Sequence, residues 1–222
     1  MAKIRRITAS EEIYQHLRQD ILSLKLIPGQ ELDLDALAAD LEVSRSPLRD
    51  ALLRLSDNNL VDIYPQRGTR VALIDLKHVE EERFFRKSLE HSALSRFITR
   101  FGDDEIAQMN RAIDEQSRAT EKSDWVHFLE ADDAFHAVIF NSIELGRIWE
   151  LIVAQGGNYR RIRLLSFFKE SIPAEIVAQH KAMITAITER NLTRLLELEN
   201  LHLSKLLAET EFMLEHYPTY FK

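Results

Sequence analysis

The stretch ADDAFHAVIF, residues 131 to 140, sets Asp132, Asp133 and His136 among phenylalanine, isoleucine and valine, where a helix would ordinarily feed only apolar side chains into a core. On a wheel turning about 100° per residue, Phe128, Leu129, Phe135, Ile139, Phe140 and Ile143 share one arc. Asp132 and His136 fall inside that arc, and Asp133 lies at its margin. Two later segments repeat the pattern. In PAEIVAQHKAMITAI, His180 continues the row of Ile176, Met183, Ile184 and Ile187; in LTRLLELENLHLSKLLAETEFM, His202 continues Leu195, Leu198, Leu206 and Met213. A lone buried imidazole is most often a hydrogen-bonded core residue. Three of them with a carboxylate cannot all be protonated inside a bundle without severe desolvation cost, whereas one divalent cation satisfies all four. Neutral imidazole and carboxylate suit Zn²⁺, Ni²⁺ or Mn²⁺, and bundles build such sites from facing helices. Asp132, His136, His180 and His202 are therefore the expected metal ligands.

The elements that must position these residues follow from composition. A chain of 222 residues has room for two modest domains, and 45% hydrophobic against 29% charged residues is the balance of a water-soluble protein. No apolar run reaches the length of a membrane span, and MAKIRRITASEEIY lacks the apolar core of a secretory signal, so a cytoplasmic protein is expected. The absence of cysteine excludes disulfides and thiolate metal sites. Only six glycines and five prolines interrupt the chain, which favours long helices. The net charge of -7 argues against nucleic acid only until its distribution is considered. Residues 1 to 74 hold ten Lys/Arg and eleven Asp/Glu, leaving 19 and 25 for the remainder, so the N-terminal third is nearly neutral with locally clustered arginines.

That third reads as a winged helix-turn-helix. SEEIYQHLRQDILSL carries an apolar helical stripe at Ile13, Leu17, Ile21 and Leu24 behind a capping-type Ser10, and PGQ at 28 to 30 ends it. Asp33 caps a short second helix with Leu37, Ala38 and Leu41 inward. Ser44 caps a third helix through Leu55, with Pro47 in its first turn, and Asn58 and Asn59 close it. VDIYPQRGTRVAL then alternates as a hairpin bent at PQRG. In such a unit the last helix enters the major groove by its N-terminal residues, here Ser44, Arg45, Ser46 and Arg49. Arg45 and Arg49 lie one turn apart on one face, and arginine suits bidentate reading of guanine. Arg67 and Arg70 flank the wing tip, where Gly68 allows close approach to the duplex.

PGQELDLDALAADLEVSRSPLRDALLRLSDNNLVDIYPQRGTRV closely resembles the GntR-type bacterial transcription regulators. The resemblance implies that Ser44, Arg45, Ser46, Arg49, Arg67 and Gly68 contact DNA. Asn58 and Asn59 depart from the acidic-Gly pair usual there, and Asp35 stands where some relatives carry a DNA-contacting arginine. DDAFH, QHKAMITAI, LENLHLSKLL and the segment RKSLEHSAL resemble the metal-binding version of the all-helical (FCD-type) effector domain in the FadR-like branch of that family. This implies the same four ligands, Asp132, His136, His180 and His202, and a small carboxylic-acid effector bound over the metal. Arg86, Arg160 and Arg163 are the candidates to anchor it, against the simpler readings of a salt bridge and a solvated helix face. FNSIELGRIWE departs from the family's small-residue turn, at what would be the pocket rim.

The expected architecture is mainly α. Residues 1–75 form a winged helix-turn-helix DNA-binding domain, and residues 76–222 form an antiparallel bundle of six or seven helices that binds metal and effector. Breaks are expected at Gly102, Ser123, Glu144 to Gly146, Pro173 and Asn191. The expected function is a homodimeric regulator binding a double-stranded DNA operator under control of a small organic acid. A metal-dependent hydrolase using the Asp/His₃ set is the alternative, but the chain offers no separate general base, nucleophile elbow or phosphate loop, so no enzymatic activity is expected. A purely structural helical adaptor would bind no metal at all.

Overall fold

The computed structural model describes residues 8–169, 171–208 and 210–222, with the side chains at 205–208 outside the description. The chain divides into two compact units. One runs through Leu76 and takes in Tyr217–Lys222, and the other is Lys77–His216.

In the first unit, α1 (Ala9–Leu22) buries Ile13, Tyr14, Leu17, Ile21 and Leu22. Its cap is Thr8, whose hydroxyl accepts from the Glu11 amide at 3.2 Å, so the helix starts two residues before the expected Ser10 cap. It also ends earlier than PGQ, at Ser23, and the chain turns through Leu24 at positive φ. Asp33 caps α2 (Leu34–Asp40) by accepting from the amides of Asp35 and Ala36. Ser44 is the N-cap residue of α3 (Arg45–Asp57), which buries Leu48, Ala51, Leu52 and Leu55. The helix closes at Asn58, and Asn59 takes the left-handed conformation at φ 57° that its short amide side chain tolerates. β2 (Val61–Tyr64) and β3 (Gly68–Val71) form the hairpin, pairing Tyr64 with Gly68 and Val61 with Val71. An unanticipated strand, β1 (Glu31–Leu32), joins the other edge of β3; two residues are too few to show an alternating pattern.

The chain's last residues belong to this unit instead of to the helical one. Tyr220 accepts from the Ile74 amide at 2.8 Å, Ile74 accepts from Lys222 at 3.1 Å, and Phe221 is buried against this short parallel bridge. Phe221, these two backbone hydrogen bonds and an ion pair of Lys222 with Asp75 at 3.4 Å are among the contacts of this segment, and no periodic pattern announces them.

The second unit is helical: α4 (Leu76–Phe97), α5 (Asp103–Glu121), α6 (Trp125–Ser142), α7 (Gly146–Gln155), α8 (Gly157–Ser166), α9 (Ser171–Thr188), α10 (Leu192–Ala208) and α11 (Thr210–His216). The turns fall at Gly102, Ser123, Glu144 and Asn191 as expected. Pro173 behaves differently, occupying the first turn of α9, where its missing N–H is not needed. Gly156 separates α7 from α8 within what reads as one segment. Phe135, Ile139, Phe140, Met183, Ile187, Leu195 and Leu198 meet in one apolar cluster. Met213 lies on α11 and so does not extend the row of His202, and the Leu206 side chain is outside the described residues. α4 is unusual in burying Arg83, Arg86 and Glu90 on the same helix as Val79, Ala93, Leu94 and Phe97.

Candidate metal centre and nucleic-acid interface

α6 presents Asp132 and His136 one turn apart, α9 presents His180 and α10 presents His202; all four side chains are buried. One potential ligand atom from each lies within 4.8 Å of the others. Oδ1 of Asp132 stands 3.7 Å from Nε2 of His180 and 4.0 Å from Nε2 of His202, and Oδ2 stands 3.8 Å from Nε2 of His136. These spacings are too long for hydrogen bonds. They are close to the ligand-to-ligand separations around one ion with bonds of about 2.0–2.2 Å. Nε2 of His136 and of His180 has no hydrogen-bond partner among the described residues, an expensive condition for a buried nitrogen.

The far side of each ring is held. Nδ1 of His180 bonds Oε1 of Gln116 at 2.9 Å, Nδ1 of His202 bonds Oε1 of Gln179 at 3.0 Å, and Nδ1 of His136 faces the Glu90 carboxylate. An amide oxygen only accepts, so Nδ1 of His180 donates to Gln116 and its Nε2 keeps its lone pair; the Gln179 oxygen favours the same tautomer at His202. The Gln116 amide reaches Oδ1 of Asp132 with its nitrogen at 3.5 Å, which fixes its orientation. Outer partners that set tautomer and ring direction are what a histidine metal site requires. The residues fit a divalent cation.

The charges around the cluster are interlocked. Burial alone would raise the Asp132 carboxyl, but the Arg163 guanidinium holds it well below the usual range. Burial pushes the His180 imidazole down to about 3, and the same desolvation, with His180 alongside, lowers His202. Glu90 is held low, its own burial overcome by Arg86, which donates to it from Nε at 2.9 Å. Glu199 is buried with neither carboxyl oxygen hydrogen-bonded among the described residues, and its pKa is driven well above the usual value by desolvation and by Glu90.

Arg86, Arg160 and Arg163 line one cavity with Glu82, Asp133, Trp149 and Tyr159. None of the three arginines is idle. Arg86 serves Glu90, Arg160 pairs with Asp133, and Arg163 pairs with Asp132 through one nitrogen and donates to Asp133 at 3.3 Å through the other. The sequence departure near residue 146 reaches this cavity through Trp149, whose ring the Arg86 guanidinium overlies at 5.4 Å. Sequence reasoning passed over Glu90, Gln116, Gln179 and Glu199 as site residues. Gln116 was findable, since it interrupts the buried row Met109, Ala112, Ile113 and Ala119 of α5 as the histidines interrupt theirs.

In the first unit, Ser44, Arg45, Ser46, Arg49, Arg67 and Gly68 are all exposed. Arg45, Arg49 and Gly68 line one groove between α3 and the hairpin, with Asp33, Asp35 and Tyr64; Ser44, Ser46 and Arg67 lie outside its wall. Ser44 makes no side-chain cap bond. Arg45 pairs with Asp35 at 2.5 Å and Arg70 pairs with Glu31 at 2.6 Å. No helix among the described residues is long and apolar enough to cross a membrane.

The sequence matches the family model for bacterial regulatory proteins of the gntR family over residues 9–71 and that for the FCD domain over residues 83–205. It is 29% identical over 221 residues to an HTH-type transcriptional regulator from an unstable DNA locus of Streptomyces ambofaciens, covering all of this chain and 93% of that one. It is 29% identical over 182 residues to the HTH-type transcriptional repressor RspR of Escherichia coli K12, covering 82% and 80%. Among solved structures, Escherichia coli McbR/YncC has a similar fold, with a TM-score of 0.71 at 20% identity over 95% of this chain and 98% of that one. With its first unit matched by one family model and more than half its length matched by the other, the chain belongs to the GntR family of bacterial transcription regulators and carries an FCD domain.

Proposed function

We propose that the protein is a homodimeric regulator that binds an inverted-repeat DNA operator and is controlled by a small carboxylic acid bound beside a divalent metal in the helical unit. The observation that carries the metal reading is the set of buried Nε2 atoms of His136 and His180 around Asp132 that have no hydrogen-bond partner among the described residues. Asp132, His136, His180 and His202 would hold the ion, and Zn²⁺, Ni²⁺ or Mn²⁺ suits that donor set. When bound, the ion supplies a fixed positive charge and open coordination positions for an anion. Arg86, Arg160 and Arg163 favour a carboxylate in the adjoining cavity.

DNA recognition falls to Ser44, Arg45, Ser46 and Arg49 in the major groove, with Arg67 and Gly68 at the wing. RspR is a repressor, which supports a regulatory role without fixing its sign here. A second copy is supported by α4, where Phe84 is 66% exposed and Phe85 39%. Two α4 helices crossing antiparallel near Ser88 would bring Glu81 of each toward Arg96 of the other, the reciprocal contact of a two-fold interface.

The test combines elemental analysis of purified protein with melting and operator titration, each with and without a strong chelator. One metal per chain, a lower melting temperature after chelation and a changed operator affinity on adding small carboxylic acids are expected. Metal-free protein whose melting ignores added Zn²⁺, Ni²⁺ and Mn²⁺ would remove the sensing half of the proposal, leaving DNA binding intact.

A further inference from the structure

Arg160 and Arg163 do not wait as open cations. We infer that Asp133 is a built-in competitor for the effector's carboxylate, so that an acid binds by exchange with a side chain of the protein itself. The inference rests on the effector reading above and deepens it: the ligand class is a carboxylate able to replace Asp133 across two guanidinium groups.

Both oxygens of Asp133 are engaged, Oδ2 by Nη1 of Arg160 and Oδ1 by Nη1 of Arg163, while Nη2 of Arg163 holds Oδ2 of Asp132. All the pairs lie in a sheltered place. Side-chain exposure is 13% for Arg160, 9% for Arg163, 18% for Asp133 and nil for Asp132. Asp133 and both arginines line the same cavity, of about 20 Å³, room for about one water. A carboxylic acid cannot enter that volume with Asp133 in place. Were it to squeeze in, a further anion would stand beside Asp132 and Asp133 in a region of low dielectric, where like charges repel strongly. Exchange avoids both difficulties. The incoming carboxylate takes over the guanidinium hydrogen bonds, Asp133 swings toward the wet side of the cavity, and no buried cation is left unpaired.

An internal competitor sets a threshold. The affinity measured for any acid is its intrinsic affinity for the two arginines less the free energy of detaching Asp133, so only an acid with additional contacts to the cavity binds well. Asp133 thereby acts as a specificity-determining residue, although it is neither a proposed metal ligand nor an anchor for the anion.

The experiment uses the full chain loaded with Zn²⁺ and titrated with acetate and succinate, read by calorimetry and thermal shift. Asp133→Asn keeps the shape and removes the competing charge, and it should bind at least one of the two probes tenfold or more tighter than wild type. Its melting temperature without probe should fall, because two sheltered guanidiniums lose a partner, and probe should restore it. Asp133→Glu retains a carboxylate and should stay near wild-type affinity. Wild type binding a probe as tightly as Asp133→Asn would overturn the inference and leave the effector reading standing; no binding to either protein would overturn both. Should Asp133→Asn not fold, the wild type decides. A probe-soaked crystal with the anion on Arg160 and Arg163 and Asp133 displaced supports exchange, and an anion bound elsewhere, with the Asp133 pairs intact, refutes it.

Discussion

His180 and Glu199 respond to burial with opposite consequences for stability. The unfolded chain titrates His180 and His202 near pH 6.5, while the folded chain without metal refuses those protons, His180 until about pH 3. Below about 6.5 the unfolded state therefore binds more protons, and stability falls with falling pH by about 1.4 kcal/mol per unit for each histidine. Glu199 has the reverse sign. Its folded pKa is raised, so the stability it contributes is complete below about 4.5 and is lost as pH rises toward the folded value. Glu199→Gln removes that loss, and urea denaturation at pH 8 should find the variant more stable than wild type by about 1–3 kcal/mol. In this background, freed of the opposing group, chelated protein should lose about 2–3 kcal/mol between pH 7.5 and 5.5. A flat profile would mean that the imidazoles are not kept neutral by the fold.

At the level of elements, α3 offers the proposed operator-reading residues as a pre-formed surface. Its apolar side, Leu48, Ala51, Leu52 and Leu55, anchors it in the head and leaves Arg45 and Arg49 outside. Arg49→Ala should weaken operator binding by about 1–3 kcal/mol with unchanged melting, as measured by fluorescence anisotropy. Asp35, on the preceding helix, already holds Arg45 in an exposed pair, and such pairs contribute only about 0–1 kcal/mol to stability. Asp35→Asn should accordingly tighten operator binding several-fold while leaving the fold unaffected; an unchanged or weaker affinity would show that Arg45 does not meet DNA. Among the helices of the second unit, α6 was the most legible because its polar interruptions stand out in an otherwise apolar row. α4 was the least, since Arg83, Arg86 and Glu90 on its buried side blur the amphipathic pattern that marks a core helix.

At the scale of the whole molecule, the GntR head and the FCD unit are each recognisable from local words, and the proposed reading of two operator half-sites requires a second copy. Phe84→Glu places a charge in the proposed α4 contact. It should convert dimer to monomer in sedimentation, with operator affinity falling at least tenfold, because the two heads no longer bind as one ligand. Metal content should remain one per chain, since all four proposed ligands come from a single chain. A dimer that persists in this variant would move the interface to another face.

The three helices and hairpin of the head, the breaks at Gly102, Ser123, Glu144 and Asn191 and the convergence of Asp132, His136, His180 and His202 on one apolar interior were determined by sequence alone. Each is written in a local period: a polar residue inside a buried stripe points inward wherever the helix packs. Tertiary structure decided what those residues meet. That Gln116 and Gln179 turn the imidazoles, that Glu199 crowds Glu90, that Asp133 bridges two arginines and that Phe221 returns to Ile74 are contacts between residues far apart in the chain. No local periodicity records such pairings, because they arise only when separate helices pack and leave each buried charge to find the nearest partner.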